Sequence, residues 1–231
     1  GPGGCGEVFL AIDERSGVKH SVKLPRLDDP ELNTITTAAL EQERAALLAL
    51  PRHGGLLAYR DWEINSEQVP ALVTEFEKAT PLDRLRESNP RRIAAWMLQV
   101  SEAIGRAHDA GVQHCDLKPA NVLVRDSDNR AVVIDFGLAQ QMLRWSRSGP
   151  NTAPPNGSPA YLAPELARGD LDPDATLVDV FGLGALLYFL LTCRAPFAAE
   201  TESQAIALAA AGKFHAGPLQ KAQHPESLKR L

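Results

Sequence analysis

His114-Cys115-Asp116-Leu117-Lys118-Pro119-Ala120-Asn121, with Asp135-Phe136-Gly137 beginning fourteen residues past the asparagine, is the stretch on which the reading of this chain turns. It gathers two carboxylates, a lysine and an amide into one short region. Moving a phosphoryl group asks a protein mainly to position reactants and to neutralise charge on phosphate oxygens, and these residue types supply both. A single Asp or Asn near a strand end usually only caps a turn; the conjunction at this spacing carries the chemistry. Between the motifs lie two short β-type runs, Val122 to Val124 and Ala131 to Ile134, joined by the charged turn Arg125 to Arg130, so the motifs bracket a hairpin.

Upstream, residues 8–12 and 20–24 read as a hairpin over the turn Asp13 to Gly17. From Thr36 to Leu50 the period changes: Ala39, Leu40, Leu47 and Leu50 recur at helical spacing, and Pro51 and Gly54 close the helix. Tyr59 to Ile64 and Ala71 to Phe76 predict two more strands, and the polar stretch Glu77 to Thr80 a hinge. Downstream the chain turns helical, with Ile93, Trp96, Met97, Val100, Ile104 and Ala107 on one face and Gly111 as the stop. Residues 144–160, with four prolines and two glycines, have a mobile-loop composition, and helical runs follow at 176–191 and 202–211. The pattern predicts an α+β chain in two lobes, a small β-rich one with one helix and a larger, mainly α-helical one.

At 231 residues and 44% apolar content the chain can bury a full core. Its 24 basic and 29 acidic residues give a net charge of −5 with no basic stripe, which argues against nucleic acid as the main ligand. Cys5, Cys115 and Cys193 are widely separated and odd in number, with no paired spacing for a zinc site or disulfide framework, which fits a reducing cytoplasm. Val180 to Leu191, the longest apolar stretch, is too short to span a bilayer and reads as a core helix, so no membrane segment is expected within this chain.

Over essentially its whole length the sequence resembles the catalytic domain of eukaryotic-type (Hanks-type) Ser/Thr protein kinases, bacterial ones in style, with the family's landmarks in the family's order. The resemblance implies ATP and Mg2+ as cofactors and a protein Ser/Thr hydroxyl as acceptor. By the family pattern Asp116 is the base, Lys118 neutralises the transferring group, and Asn121 and Asp135 hold magnesium. Gly1, Gly3 and Gly6, followed by Val8, match the glycine-rich loop over the phosphates. Lys23 matches the lysine that pairs with the α- and β-phosphates, and Glu43 the helix carboxylate that holds it. Glu41 competes for that role, but Leu47 and Leu50 put Glu43 in register. Val8 and Leu123 match the residues sandwiching adenine, Ser21 stands where an alanine usually packs on it, and Glu75 and Glu77 lie in the hinge whose backbone binds it. His114, Phe136, Leu47 and Tyr59 match an internal hydrophobic stack, and Asp179 the aspartate that anchors the catalytic loop. Gly157 to Tyr161 and Ala163-Pro164-Glu165 match the substrate-docking end of the activation segment, which separates protein kinases from small-molecule kinases.

The resemblance divides the chain into an N-lobe (1–76), a hinge (77–80) and a C-lobe (81–231), and implies truncation at both ends, with regulatory or membrane-anchored regions lying outside and the location cytoplasmic. Cys115 replaces the arginine usual before the catalytic aspartate, so a phosphate on Ser146, Ser148 or Thr152 finds no cation there and activity is expected not to depend on one. Cys5 replaces the usual aromatic at the glycine-loop tip. A catalytically silent nucleotide-binding scaffold is the rival reading, disfavoured by retention of Lys23, Asp116, Asn121 and Asp135.

Overall fold

A computed structural model describes residues 6–28, 30–148 and 158–222. Strands β1 (Glu7–Ile12) and β2 (Lys19–Leu24) pair antiparallel, Val8 opposite Lys23, across a turn built by Asp13. The Oδ1 atom of Asp13 accepts the N–H groups of Arg15 and Ser16 at 3.0 and 2.6 Å, and Gly17 takes the left-handed φ of 72° that the reversal needs. Helix α1 (Pro30–Ala49) follows. It starts six residues before the apolar period predicts, because the buried Thr36 hydroxyl stays inside the structure: it donates to the Leu32 carbonyl at 2.7 Å and accepts the Arg26 N–H at 3.0 Å. Strands β3 (Tyr59–Ile64) and β4 (Pro70–Glu75) complete a sheet ordered β1-β2-β4-β3. Leu40 and Leu47 of α1 bury against Leu72 with Tyr59 and Trp62 beside them, each leucine contributing about 1.5–3 kcal/mol.

The hinge expectation is modified by pairing. Ala79 and Thr80 belong to a strand, β5 (Ala79–Pro81), because Arg125 and Val124 supply the facing edge. After α2 (Pro90–Asp109), capped by the Asn89 side chain on the Arg91 N–H at 3.0 Å, β6 (Val122–Arg125) and β7 (Ala131–Val133) complete a second sheet ordered β5-β6-β7. The α2 face of Ile93, Trp96, Val100, Ile104 and Ala107 covers the hairpin, and the Trp96 indole donates to the Asn129 carbonyl at 2.9 Å.

Part of the expected mobile loop is helical: α3 runs from Ala139 to Ser148. Met142 and Trp145 provide the reason, since both are buried in a cluster with Leu162, Leu166, Val178 and Phe197. Helices α4 (Pro164–Arg168), α5 (Ala175–Thr192), α6 (Glu202–Ala210) and α7 (Ala216–Lys221) complete the larger lobe. Among the described helices α5 alone is long and apolar enough to cross a membrane, but 56% of it is buried here, and Leu186, Leu187, Leu190 and Leu191 join the core that α2 forms. It serves this fold as a core helix.

Candidate active site

Asp179, one turn into α5, is fully covered and faces the segment that precedes β6. Its carboxylate accepts the backbone N–H of His114 at 2.9 Å and of Cys115 at 2.7 Å, and His108 of α2 approaches it at 2.7 Å. Cys115 is thereby held at φ 58°, a left-handed conformation unusual for a residue with a Cβ. The His114 ring, 4.8 Å from the Phe136 ring, donates to the Ile134 carbonyl through Nε2 and accepts the Asp116 N–H through Nδ1. Gly182 lets α5 back onto this loop, since a Cβ there would stand 2.7 Å from that of Leu117.

On that support Asp116, Lys118 and Asn121 converge. Lys118 Nζ donates to Asp116 Oδ2 at 2.6 Å, and the Asn121 amide nitrogen donates to the same oxygen at 3.0 Å and to the Asp116 carbonyl at 2.9 Å. Burial pushes the Asp116 carboxyl above the usual carboxylate range, against the pull of the Lys118 charge.

Lys23 of β2 reaches Asp135 from the other lobe. Its ammonium donates to Glu43 Oε2 and to Asp135 Oδ1, each at 2.8 Å. Burial pushes Glu43 up to about 7, opposed by the Lys23 charge and reinforced by Asp135. For Asp135 burial acts in the same raising sense but Lys23 outweighs it, leaving the carboxyl below its ordinary value. The Lys23 ammonium is raised in turn: burial works against its charge, and the two carboxylates more than offset this. Glu41, the competing choice for the partner, is exposed. Asp135 sits at φ 63°, and a Cβ on the following Gly137 would stand 2.7 Å from the Glu43 Cβ, so the turn and α1 are in contact.

Gly6 has φ 128° and any Cβ there would collide with the Leu24 carbonyl, so only glycine fits. Gly1, Gly3 and Cys5 lie outside the described residues, as do Thr152 and Gly157. Val8 is half-exposed on β1, Ser21 pairs with Thr74 across β2 and β4, and Leu123 is half-buried on β6. The Glu75 N–H is used by the Ala58 carbonyl at 2.9 Å. The Glu77 N–H has no hydrogen-bond partner among the described residues, while its carboxylate is gripped by Arg125. Arg125 was legible in the sequence only as the start of a turn. Tyr161 of the segment leading to α4 lies edge-on to Phe189 with centroids 6.5 Å apart.

The donors match the chemistry of a hard divalent cation: Asn121 commits its nitrogen to Asp116 and keeps its oxygen, and the Asp135 side chain is 38% exposed.

A profile of the protein kinase domain family matches residues 1–228. A probable serine/threonine-protein kinase of Corynebacterium efficiens is 32% identical over 206 residues, covering 87% of this chain and 31% of that protein. The serine/threonine-protein kinase PkaA of Streptomyces coelicolor is 40% identical over 162 residues, 68% of this chain and 29% of that one. This chain thus spans under a third of either relative. A crystal structure of Rad53 residues 1–466 with AMP-PNP superposes at a TM-score of 0.76 and 24% identity, covering 100% of this chain and 56% of that one, a likeness of fold.

Proposed function

This chain belongs to the protein kinase domain family, in its bacterial Hanks-type branch of serine/threonine enzymes, and from that premise we propose that it transfers the γ-phosphoryl group of ATP to a Ser or Thr hydroxyl of a protein, with Mg2+ as the metal. The observation that carries the reading is Lys23 bridging Glu43 and Asp135 at 2.8 Å each, which brings one lobe's cation to the other lobe's carboxylate.

In this reading the acceptor oxygen attacks the γ-phosphorus, the bond to the ADP oxygen breaks, and the hydroxyl proton passes to Asp116. Lys118, 2.6 Å from Asp116, offsets charge on the transferring group, and Asn121 keeps Asp116 oriented. Asn121 and Asp135 would hold magnesium, which when bound neutralises phosphate charge. Lys23 pairs with the α- and β-phosphates, Gly6 and its upstream glycines bring backbone N–H groups close to them, and Val8, Ser21 and Leu123 enclose adenine against the Glu75 to Glu77 backbone. The proposed unit is a kinase catalytic domain working in the cytoplasm, alone or as the cytosolic part of a larger, membrane-anchored protein.

The test is phosphate transfer from γ-labelled ATP to a generic protein acceptor, with and without magnesium, followed by identification of the modified residue. Label on Ser or Thr only with magnesium present is the expected result. Nucleotide binding without transfer would identify a silent scaffold, and label confined to small molecules would refute a protein acceptor.

A further inference from the structure

Glu77 and Arg125 are 48 residues apart and meet in a two-pronged ion pair: Arg125 Nη2 donates to Glu77 Oε1 at 2.7 Å and Nε donates to Oε2 at 2.8 Å. The Arg125 and Glu77 side chains are 24% and 13% exposed, so the pair is partly shielded from water. Three further contacts surround it. The Asp126 N–H donates to the Lys78 carbonyl at 2.9 Å, and Ala79 pairs with Arg125 in the sheet. Asp128, 3.2 Å from Arg125 Nη1, holds the guanidinium from its far side. A planar fork with both oxygens engaged resists rotation as well as separation, unlike the point contact a lysine makes.

The position of the pair gives it a consequence. Along β6, Val122 and Val124 are buried while Leu123 and Arg125 share the opposite, half-buried face. Leu123 is the proposed adenine floor, and Glu77 carries the N–H, without a partner among the described residues, that is proposed to meet the adenine edge. One rigid fork therefore joins the residue that carries the edge contact to the strand that carries the floor.

We infer that Arg125 is a positioning residue for the nucleotide base: through Glu77 it fixes the distance between the hinge N–H and Leu123, and so sets how well the adenine slot is formed before ATP arrives. This rests on the ATP reading above. It touches no phosphate and no acceptor, so it acts on base recognition and leaves the chemical step alone.

The experiment compares the parent chain with Arg125→Ala, Arg125→Lys and the exchanged pair Glu77→Arg/Arg125→Glu. Affinities for Mg-ATP and for Mg-tripolyphosphate, which lacks the base, are read by calorimetry, with KM and kcat from the transfer assay. Arg125→Ala should weaken ATP roughly tenfold, as loss of a charge-assisted pair implies, raise KM for ATP in step, and leave kcat and tripolyphosphate binding within about twofold. Arg125→Lys, which keeps a cation between Glu77 and Asp128, should recover part of the loss, and the exchanged pair less, because it sets a carboxylate beside Asp128. ATP affinity unchanged in Arg125→Ala, or ATP and tripolyphosphate weakened together, would overturn the inference. A parent chain that binds tripolyphosphate but shows no preference for ATP would overturn the ATP reading itself, a result visible before any variant is made.

Discussion

Asp179 Oδ1 accepts the Cys115 N–H at 2.7 Å, and that one bond fixes a left-handed residue directly before the proposed base. Replacing Asp179 by Asn keeps the shape but turns an amide N–H2 toward a backbone N–H that then loses its acceptor. An orphaned buried donor costs about 1–3 kcal/mol. Asp179→Asn should therefore lower the unfolding free energy by that amount and cut transfer at least tenfold, read by urea titration and initial rates. Parental rates in the variant would mean the loop keeps its geometry without this anchor.

Asp116→Asn removes the proton acceptor while retaining size and hydrogen bonding to Asn121. Turnover should drop by roughly 10²–10⁴-fold, the usual worth of a positioned acid or base, with nucleotide affinity retained. A variant as fast as the parent would remove Asp116 from the role.

Gly137→Ala places a methyl 2.7 Å from the Glu43 Cβ and 3.3 Å from the Ala39 carbonyl. Helix α1 must then move away and take Glu43 from Lys23. Overpacking of this kind costs about 1–3 kcal/mol, and the transfer rate should fall well beyond what that loss of stability explains. Hydrogen exchange along α1, unchanged alongside unchanged activity, would show that the turn absorbs the methyl by itself.

Glu43 titrates near 7 in the folded chain against an ordinary 4.5, because burial penalises its charge. A raised folded value means the native state binds the extra proton, so this stabilisation is complete below the unfolded value and is lost as pH rises through 7. Asp135 is shifted down and Lys23 up, both away from this window. Urea midpoints between pH 5.5 and 8 should decline more steeply for the parent than for Glu43→Gln, while parental activity rises as the ion pair with Lys23 forms. Parallel stability curves for the two proteins would place the titration elsewhere.

Ser146 is fully buried in α3, with its hydroxyl on the Asp170 carbonyl at 3.3 Å. It is thus a poor phosphate acceptor, although the sequence nominated it. The Cys115 thiol, pushed well above the ordinary range by burial, offers no positive partner to a phosphate nearby. Phosphatase treatment should leave activity within tenfold, and peptide mapping should find Ser146 unmodified. A fall of tenfold or more, about 1.4 kcal/mol in the barrier, would show control by phosphorylation despite Cys115.

Some elements were readable directly: β3 runs from Tyr59 to Ile64 as the sequence predicts, and α2 presents the predicted face of Ile93, Trp96, Val100 and Ile104. What escaped depends on partners distant in the chain. Ala79 to Pro81 become a strand only because β6 offers an edge, and residues 139–148 are helical because Met142 and Trp145 find a cavity among Leu162, Val178 and Phe197. The start of α1 was missed because Thr36 hides its hydroxyl within its own helix. At the site, the family resemblance nominated Lys23, Asp116, Asn121 and Asp135, which the fold gathers into two clusters, Lys23 with Glu43 and Asp135, and Asp116 with Lys118 and Asn121. No local pattern marks Arg125, whose partner lies across the hinge.

The two walls of the cleft differ in stiffness. Asp179 and Gly182 lie on the buried face of a helix more than half of which is covered, whereas β1 carries Val8, Phe9, Leu10 and Ile12 each about half in water. Segments with few buried contacts open at lower free energy than core ones. On warming, amide protection should therefore vanish first around β1, while the His114 and Cys115 amides held by Asp179 outlast it. The chain would lose its grip on the nucleotide while the machinery around Asp116 still stands, a graded failure instead of a single collapse.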